Sequence, residues 1–163
     1  MANIAKLAVA GSFGAALAAL LSYFFAGYQS AMLAATALGA FIGAGVWLGR
    51  ISPRLAGAAI GATIGALLGI GVDDTSGLFG IPVALIGAAL CGTRTGLALM
   101  IVGEFVGIAT LVVVIQFASV TIGSLTTGAT NFLELFCCVS GPIVGALLGN
   151  RRERRHQHRD INS

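Results

Sequence analysis

Long uncharged stretches, each ended by charged or turn residues, dominate the pattern of apolar and polar positions along this chain. A bilayer core of ~30 Å requires about 20 apolar residues per helix, and most of the stretches approach that length. The pattern therefore predicts an all-α fold, a polytopic membrane helix bundle with about six transmembrane helices. The predicted spans are Leu7–Gly27, Ala31–Gly49, Leu55–Val72, Leu78–Gly92, Gly96–Phe117 and Phe132–Gly149.

The fourth stretch is the shortest, and it carries Pro82 in its predicted first turn. A stretch of this length forms a tilted span, a half-helix or a re-entrant segment. Five spans with one irregular element is therefore the alternative to six.

Glycines recur every four residues within the third and sixth stretches. Residues four apart share one face of a helix, so these rows leave grooves where another backbone can approach closely. We expect glycine-zipper packing through Gly57, Gly61, Gly65, Gly69, Gly141, Gly145 and Gly149. The amino-acid sequence of residues 65–69 is repeated at residues 145–149. One hypothesis from this match is an inverted repeat of three helices plus three.

Composition supports a membrane environment. Hydrophobic residues make up 57% of the 163 residues and charged residues only 9%, whereas soluble domains contain roughly 25% charged residues. The length suits one membrane domain, residues 1–150, followed by a basic cytoplasmic tail, residues 151–163.

The basic residues fall on one side of the predicted bundle, and cytoplasmic ends collect Lys and Arg. Both termini are therefore predicted to be cytoplasmic, and short loops with an arginine tail are typical of a bacterial plasma (inner) membrane. The basic positions before the tail are Lys6, Arg50, Arg54 and Arg94.

Five arginines follow the last span. We expect them to contact anionic lipid headgroups; docking to an acidic partner protein is the alternative, and no nucleic-acid partner is expected. The arginines are Arg151, Arg152, Arg154, Arg155 and Arg159.

Glu104 lies about two turns inside the fifth stretch, where ionisable residues are rare and commonly functional. One interpretation is a transport or proton-coupling carboxylate. The other is a structural carboxyl that is held by hydroxyls of a neighbouring helix or paired with Arg94. Pro142, mid-span in the sixth stretch, is a hinge candidate with packing geometry as its alternative.

Sequence motifs for catalysis are absent, so we expect no enzyme and no cofactor. Adjacent Cys137 and Cys138 point to different helix faces, Cys91 is distant in sequence, and His156 and His158 lie in the tail. This arrangement predicts no metal site and no haem ligation. A quinone or chlorophyll-type pigment that is held by packing alone needs no such ligand residues, so this kind of binding stays open.

The segment Arg54-Leu55-Ala56-Gly57-Ala58-Ala59-Ile60-Gly61-Ala62 resembles a motif of the FUSC-like family of aromatic-acid exporters, in which a basic inner loop runs into a small-residue helix. The resemblance implies a six-helix membrane domain that exports amphipathic organic anions.

Two classes of function follow. The first is a transporter or channel-like exporter of small organic anions that works as a homo-oligomer. The alternative is a non-catalytic accessory subunit that packs against other membrane subunits. The buried carboxylate favours the first class, and the scarcity of other polar groups within the spans favours the second.

Overall fold

The computed structural model describes the backbone of residues 2–25, 28–73, 76–123 and 126–161, and the side chains of residues 4–24, 34–70, 78–123 and 126–161. Within these ranges the chain is helical, which confirms the predicted all-α class. The helices are α1 (Ala2–Phe25), α2 (Tyr28–Trp47), α3 (Pro53–Asp73), α4 (Ser76–Leu90), α5 (Arg94–Ile122) and α6 (Thr127–Ile161).

Four of the described helices, α1, α3, α5 and α6, are long and apolar enough to cross a membrane. In contrast, α4 has 15 residues and a length of about 22 Å, which is shorter than a bilayer core of ~30 Å. The described apolar part of α2, Ala34–Trp47, is also short. Membrane-compatible helices are therefore shown, whereas the count of six spans stays a prediction.

Several predicted boundaries were wrong. Because α4 begins at Ser76, Pro82 lies in its second turn rather than its first. Helix α5 continues to Ile122 because the residues after Phe117 are mostly apolar or β-branched and show no turn signal. With α6 beginning at Thr127, the long connection predicted over 118–131 shrinks to residues 123–126. The connection predicted between the third and fourth stretches, residues 73–77, includes residues 74–75, which lie outside the described part of the chain.

Two groups of helices make up the bundle. Helix α3 lies at the centre of the first group and packs against α1 and most extensively against α4, while α5 and α6 pack along each other as the second group. Helix α2 joins the groups: Gly39 faces Ile60 of α3, and Gly43 faces Ile101 of α5. Since α1 packs along α3 but α4 barely contacts α6, the contacts do not follow the hypothesised three-plus-three repeat.

Glycines allow α3 and α4 to approach backbone to backbone. A Cβ atom added at Gly57 would lie 2.5 Å from Cβ of Cys91, and one at Gly61 or Gly65 would overlap a carbonyl oxygen of α4. Real Cβ atoms do not reach such distances, so these positions require glycine as long as the helices keep this separation. Gly69 is also buried.

Glycines allow the same close backbone contact between α5 and α6. An added Cβ at Gly103 would meet the carbonyl oxygen of Gly141, and one at Gly141 would meet that of Gly103. Gly145 and Gly149 lie equally close to the carbonyls of Leu99 and Thr95. The two glycine rows predicted from sequence therefore lie at two helix pairs, α3–α4 and α5–α6.

Apolar side chains also cover much of the outer surface. Only 22% of the apolar window in α5 is buried within the chain, compared with 72% of that in α3. Large side chains such as Phe105, Val113, Phe117 and Phe136 are exposed. Such a surface suits lipid or another apolar partner rather than water.

Candidate functional site

Glu104 occupies the buried face of α5, where residues three or four apart point into the bundle. Its neighbours on this face are Met100, Gly107 and Leu111. The carboxyl is ten residues from Arg94 at the start of the helix, about 15 Å along the helix axis. Its side chain is 3% exposed, so the carboxyl lies in the interior of the bundle.

A hydroxyl from another helix holds this carboxyl. Thr36 on α2 donates a hydrogen bond from Oγ1 to Oε1 of Glu104 over 3.4 Å, and Thr36 is itself 1% exposed. Sequence reasoning missed Thr36, because threonines are common in apolar helices and nothing in the sequence pairs it with a residue 68 positions away. The hydrogen bond lies where the connecting helix α2 meets the α5–α6 group.

The alternative pairing with Arg94 is not what the structure shows. Nη1 of Arg94 donates instead to the main-chain carbonyl of Trp47 over 3.4 Å, near the end of α2. Of the two structural partners considered for Glu104, the neighbouring hydroxyl is the one present.

The interior beside this face is tightly packed. Met100 and Cys138 line a small pocket of about 20 Å³ whose other walls are apolar. That volume holds about one water molecule. Among the described residues, this space beside the buried face of α5 is therefore too small for an organic anion.

Buried polar side chains are few in the described part of the chain. Besides Thr36 and Glu104, Thr63 is buried, and its hydroxyl donates to the carbonyl of Ala59 within α3 over 2.8 Å. The Thr63 hydroxyl thus has a hydrogen-bond partner inside its own helix, whereas the Thr36 hydroxyl has a partner on a different helix. This difference makes the Thr36–Glu104 pair the best candidate for a functional group in the core.

A second polar cluster lies at the end of the bundle that carries Arg94. Oγ1 of Thr93 donates to Oδ1 of Asn150 over 2.7 Å and accepts from the N–H of Gly96 over 3.0 Å, which caps α5. Nδ2 of Asn150 donates to the carbonyl of Leu90. Asn150 therefore ties α6 to the end of α4 and the start of α5, a role that sequence reasoning did not predict.

The cysteines are free and buried. Sγ of Cys91 contacts Sδ of Met100 at 3.1 Å, an S–H···S contact between the end of α4 and α5. Cys137 and Cys138 pack on α6 toward the bundle. Among the described residues, no three histidine, cysteine or carboxylate side chains converge as metal ligands.

Pro142 lies within α6, which continues unbroken through it, and the residue is buried. Its nitrogen would lie 3.2 Å from a Cβ atom added at Gly103 of α5. The proline ring therefore belongs to the close α5–α6 contact. That position agrees with packing as the reason for a proline here, while the hinge hypothesis stays a prediction.

The basic tail is a helical continuation of α6 rather than a separate segment. Residues 150–161 extend the helix by about 18 Å beyond Gly149. The five tail arginines are exposed, and four of them line a surface groove of about 500 Å³ together with His156 and His158. The groove arginines are Arg151, Arg152, Arg155 and Arg159.

Comparison of the chain with protein families, with curated proteins and with solved structures finds no match.

Proposed function

We propose that this chain is a small multi-pass membrane transporter or channel-like exporter of small organic anions that works as a homo-oligomer, with Glu104 as its proton-coupling group. The observation that carries the proposal is the carboxyl of Glu104, which is buried where α2 meets the α5–α6 group and hydrogen-bonded there to the Thr36 hydroxyl. Ionisable groups in membrane interiors commonly mark substrate or proton pathways.

The position of Glu104, where α2 meets the α5–α6 group, gives the carboxyl a means of coupling. The contacts of α5–α6 with the other helices, including α2–α5, are much smaller than the contacts of α3 with α4 or of α5 with α6, so α5–α6 separates from the rest of the bundle more easily than α5 separates from α6. If α5–α6 moves as a unit away from α2, the Thr36–Glu104 hydrogen bond breaks and the carboxyl becomes accessible. Proton binding then biases which arrangement is populated.

Oligomerisation supplies a pathway that the described residues of one chain do not enclose. The interior beside Glu104 has room for about one water, so a route for an organic anion must form at an interface or in another conformation. The apolar α5–α6 surface offers such an interface. A groove of about 390 Å³ runs along it over Gly103, Gly107 and Gly141.

The proposed orientation places both termini in the cytoplasm of a bacterium, with the protein in its plasma membrane. Support comes from the contacts at one end of the bundle: Lys6 and Arg54 line one cleft there, and Arg94 reaches the end of α2. Asn150, which precedes the tail arginines, binds beside Thr93 at the same end. This charge asymmetry follows the positive-inside rule.

The resemblance to FUSC-like exporters supports the same proposal. In the resembling segment, Arg54 lies in the first turn of α3, and Gly57 and Gly61 pack against α4. A basic inner end that leads into a small-residue helix is the feature that the resemblance rests on. Membership of that family is part of the proposal.

An accessory subunit is the second candidate, and a specific observation favours it. The outer surface of α5 and α6 is apolar, and its glycine-floored groove would accept a helix of a larger membrane complex as readily as a second copy. In that case the hydrogen bond between Thr36 and Glu104 only fixes α5 against α2, and neither residue takes part in transport.

Native mass spectrometry of the protein extracted from its membrane in mild detergent separates the candidates. The proposal predicts a homo-oligomer of this chain alone. Stoichiometric co-purification with other membrane proteins would overturn it in favour of the accessory subunit. A variant with Val106→Trp, which fills the α5–α6 groove, should shift the homo-oligomer toward monomer, whereas the same change at Val9 on α1 should not.

A further inference from the structure

We propose that a cleft at the basic end of the bundle binds the phosphate headgroup of an anionic phospholipid. The cleft lies between α1, α3 and α4 and has a volume of about 610 Å³. Its polar side chains are Lys6, Ser52 and Arg54, and its apolar walls include Leu7, Leu55, Leu85, Ala88 and Ala89. We call it the basic cleft.

Two cations from different helices meet in the basic cleft. Lys6 comes from the first turns of α1 and Arg54 from the first turn of α3, and both side chains are exposed. Among the described residues, no carboxylate pairs with either of them. Like charges that share a cleft repel each other, and an anion between them removes that repulsion.

The beginning of α3 adds to the positive field. Oγ of Ser52 accepts a hydrogen bond from the N–H of Leu55 over 3.3 Å, as a helix cap. Pro53 has no N–H and Ala56 donates its N–H to the carbonyl of Ser52, so the N–H of Arg54 and the helix dipole remain to favour an anion at the same place. A phosphate between Lys6 and Arg54 would therefore meet three sources of positive potential.

The apolar wall distinguishes a lipid from a free anion. Leu55 and Leu85 are 42% and 46% exposed although they lie directly beside the charged rim. Leu85 is one turn of α4 deeper than Ala89, about 6 Å toward the middle of the bundle. A ligand that fits has a charged head at the rim and an apolar chain along Leu85, which describes a phospholipid.

The basic cleft differs from the arginine tail. The tail arginines all belong to one helix, α6, and form a solvated basic face, which suits diffuse attraction to a charged membrane surface. The basic cleft combines residues of three helices with an apolar wall, so it selects a single lipid molecule.

Native mass spectrometry of the purified full chain in detergent, titrated with phosphatidylglycerol or with phosphatidylcholine, tests the assignment. We expect one phosphatidylglycerol to be retained in preference to phosphatidylcholine. Lys6→Gln with Arg54→Gln should weaken its binding by about 25-fold, or about fivefold per charge. The matched control, Arg152→Gln with Arg155→Gln, removes the same charge from the tail and should leave this one lipid bound.

Ala89→Phe provides a variant that keeps every charge. Because Ala89 is exposed in the cleft, the phenyl ring should fill the space for the acyl chain and weaken phosphatidylglycerol binding without unfolding the protein. Equal binding of the two lipids, or equal loss in the tail control and the cleft variant, would overturn the proposal. So would displacement of the lipid by inorganic phosphate, which would indicate a site for free anions.

Discussion

Oγ1 of Thr36 lies 3.4 Å from Oε1 of Glu104 and joins α2 to α5 inside the bundle. This hydrogen bond links α2, which joins the two helix groups, to the α5–α6 group through a polar contact whose partners are both buried. It is longer than most O–H···O hydrogen bonds, so it favours one position of α5 along α2 without locking it. The proposed transport mechanism requires it to form and break.

Thr36→Val removes the hydroxyl and keeps the side-chain shape. The carboxyl of Glu104 then loses a hydrogen bond in a buried setting, which typically costs about 1–3 kcal/mol. We expect the free energy of unfolding in detergent to fall by that amount. Thr63→Val is the matched control, because the Thr63 hydroxyl binds a carbonyl of its own helix, and we expect a smaller loss there.

In a Glu104→Gln background the effect of Thr36→Val should change, since the two side chains are in direct contact. Additive effects of the two substitutions would show that the hydrogen bond contributes nothing to stability.

Gly61→Ala should destabilise the protein. The added methyl group overlaps the carbonyl oxygen of Val83 on α4, and overpacking of this kind costs about 1–3 kcal/mol. Gly128→Ala is the control, because an added Cβ atom at Gly128 has nothing within 4 Å and alanine favours a helix. A melting temperature that falls for Gly128→Ala but not for Gly61→Ala would contradict the observed α3–α4 packing.

Asn150→Leu should loosen the basic end of the bundle. The substitution removes the hydrogen bonds that connect α6 to Thr93 and to the carbonyl of Leu90, and we expect a loss of about 1–3 kcal/mol in unfolding free energy. Gln157→Leu makes a similar amide-to-leucine change at an exposed position of α6. Unfolding measured for both variants in the same detergent should show the loss at Asn150 alone.

Orientation can be tested with single introduced cysteines. Ser52→Cys lies at the basic end and Thr126→Cys between α5 and α6, and the native cysteines are buried. A membrane-impermeant maleimide added to intact cells should label Thr126→Cys, but label Ser52→Cys only after the cells are permeabilised. The reverse pattern would place the basic end outside and contradict the proposed topology.

The sequence predicted the helices well because apolar length is a local property. Each predicted stretch overlaps one observed helix. The boundary of α5 was misplaced because Ser119 and Thr121 were taken as loop residues, whereas their hydroxyls donate to carbonyls of the same helix. Polar side chains whose hydroxyls hydrogen-bond to carbonyls of their own helix can lie within a membrane helix.

Only part of the candidate site could be predicted from the sequence. Glu104 was identifiable because a charge within an apolar stretch is conspicuous along the chain. Thr36, Thr93 and Asn150 were not, since each acquires its role from a residue on another helix. Their contacts depend on how the helices pack, and small apolar residues allow many packings at similar free energy.

Flux in proteoliposomes tests whether Glu104 couples transport. Purified protein is reconstituted with a pH gradient, and the uptake of a small aromatic anion that stays charged, such as benzenesulfonate, is measured for the wild type, Glu104→Gln and the control Glu153→Gln in the basic tail. We expect gradient-driven uptake by the wild type and by Glu153→Gln, and loss of the gradient dependence in Glu104→Gln. Equal uptake by all three proteins, or uptake no faster than in empty liposomes, would contradict this role of Glu104.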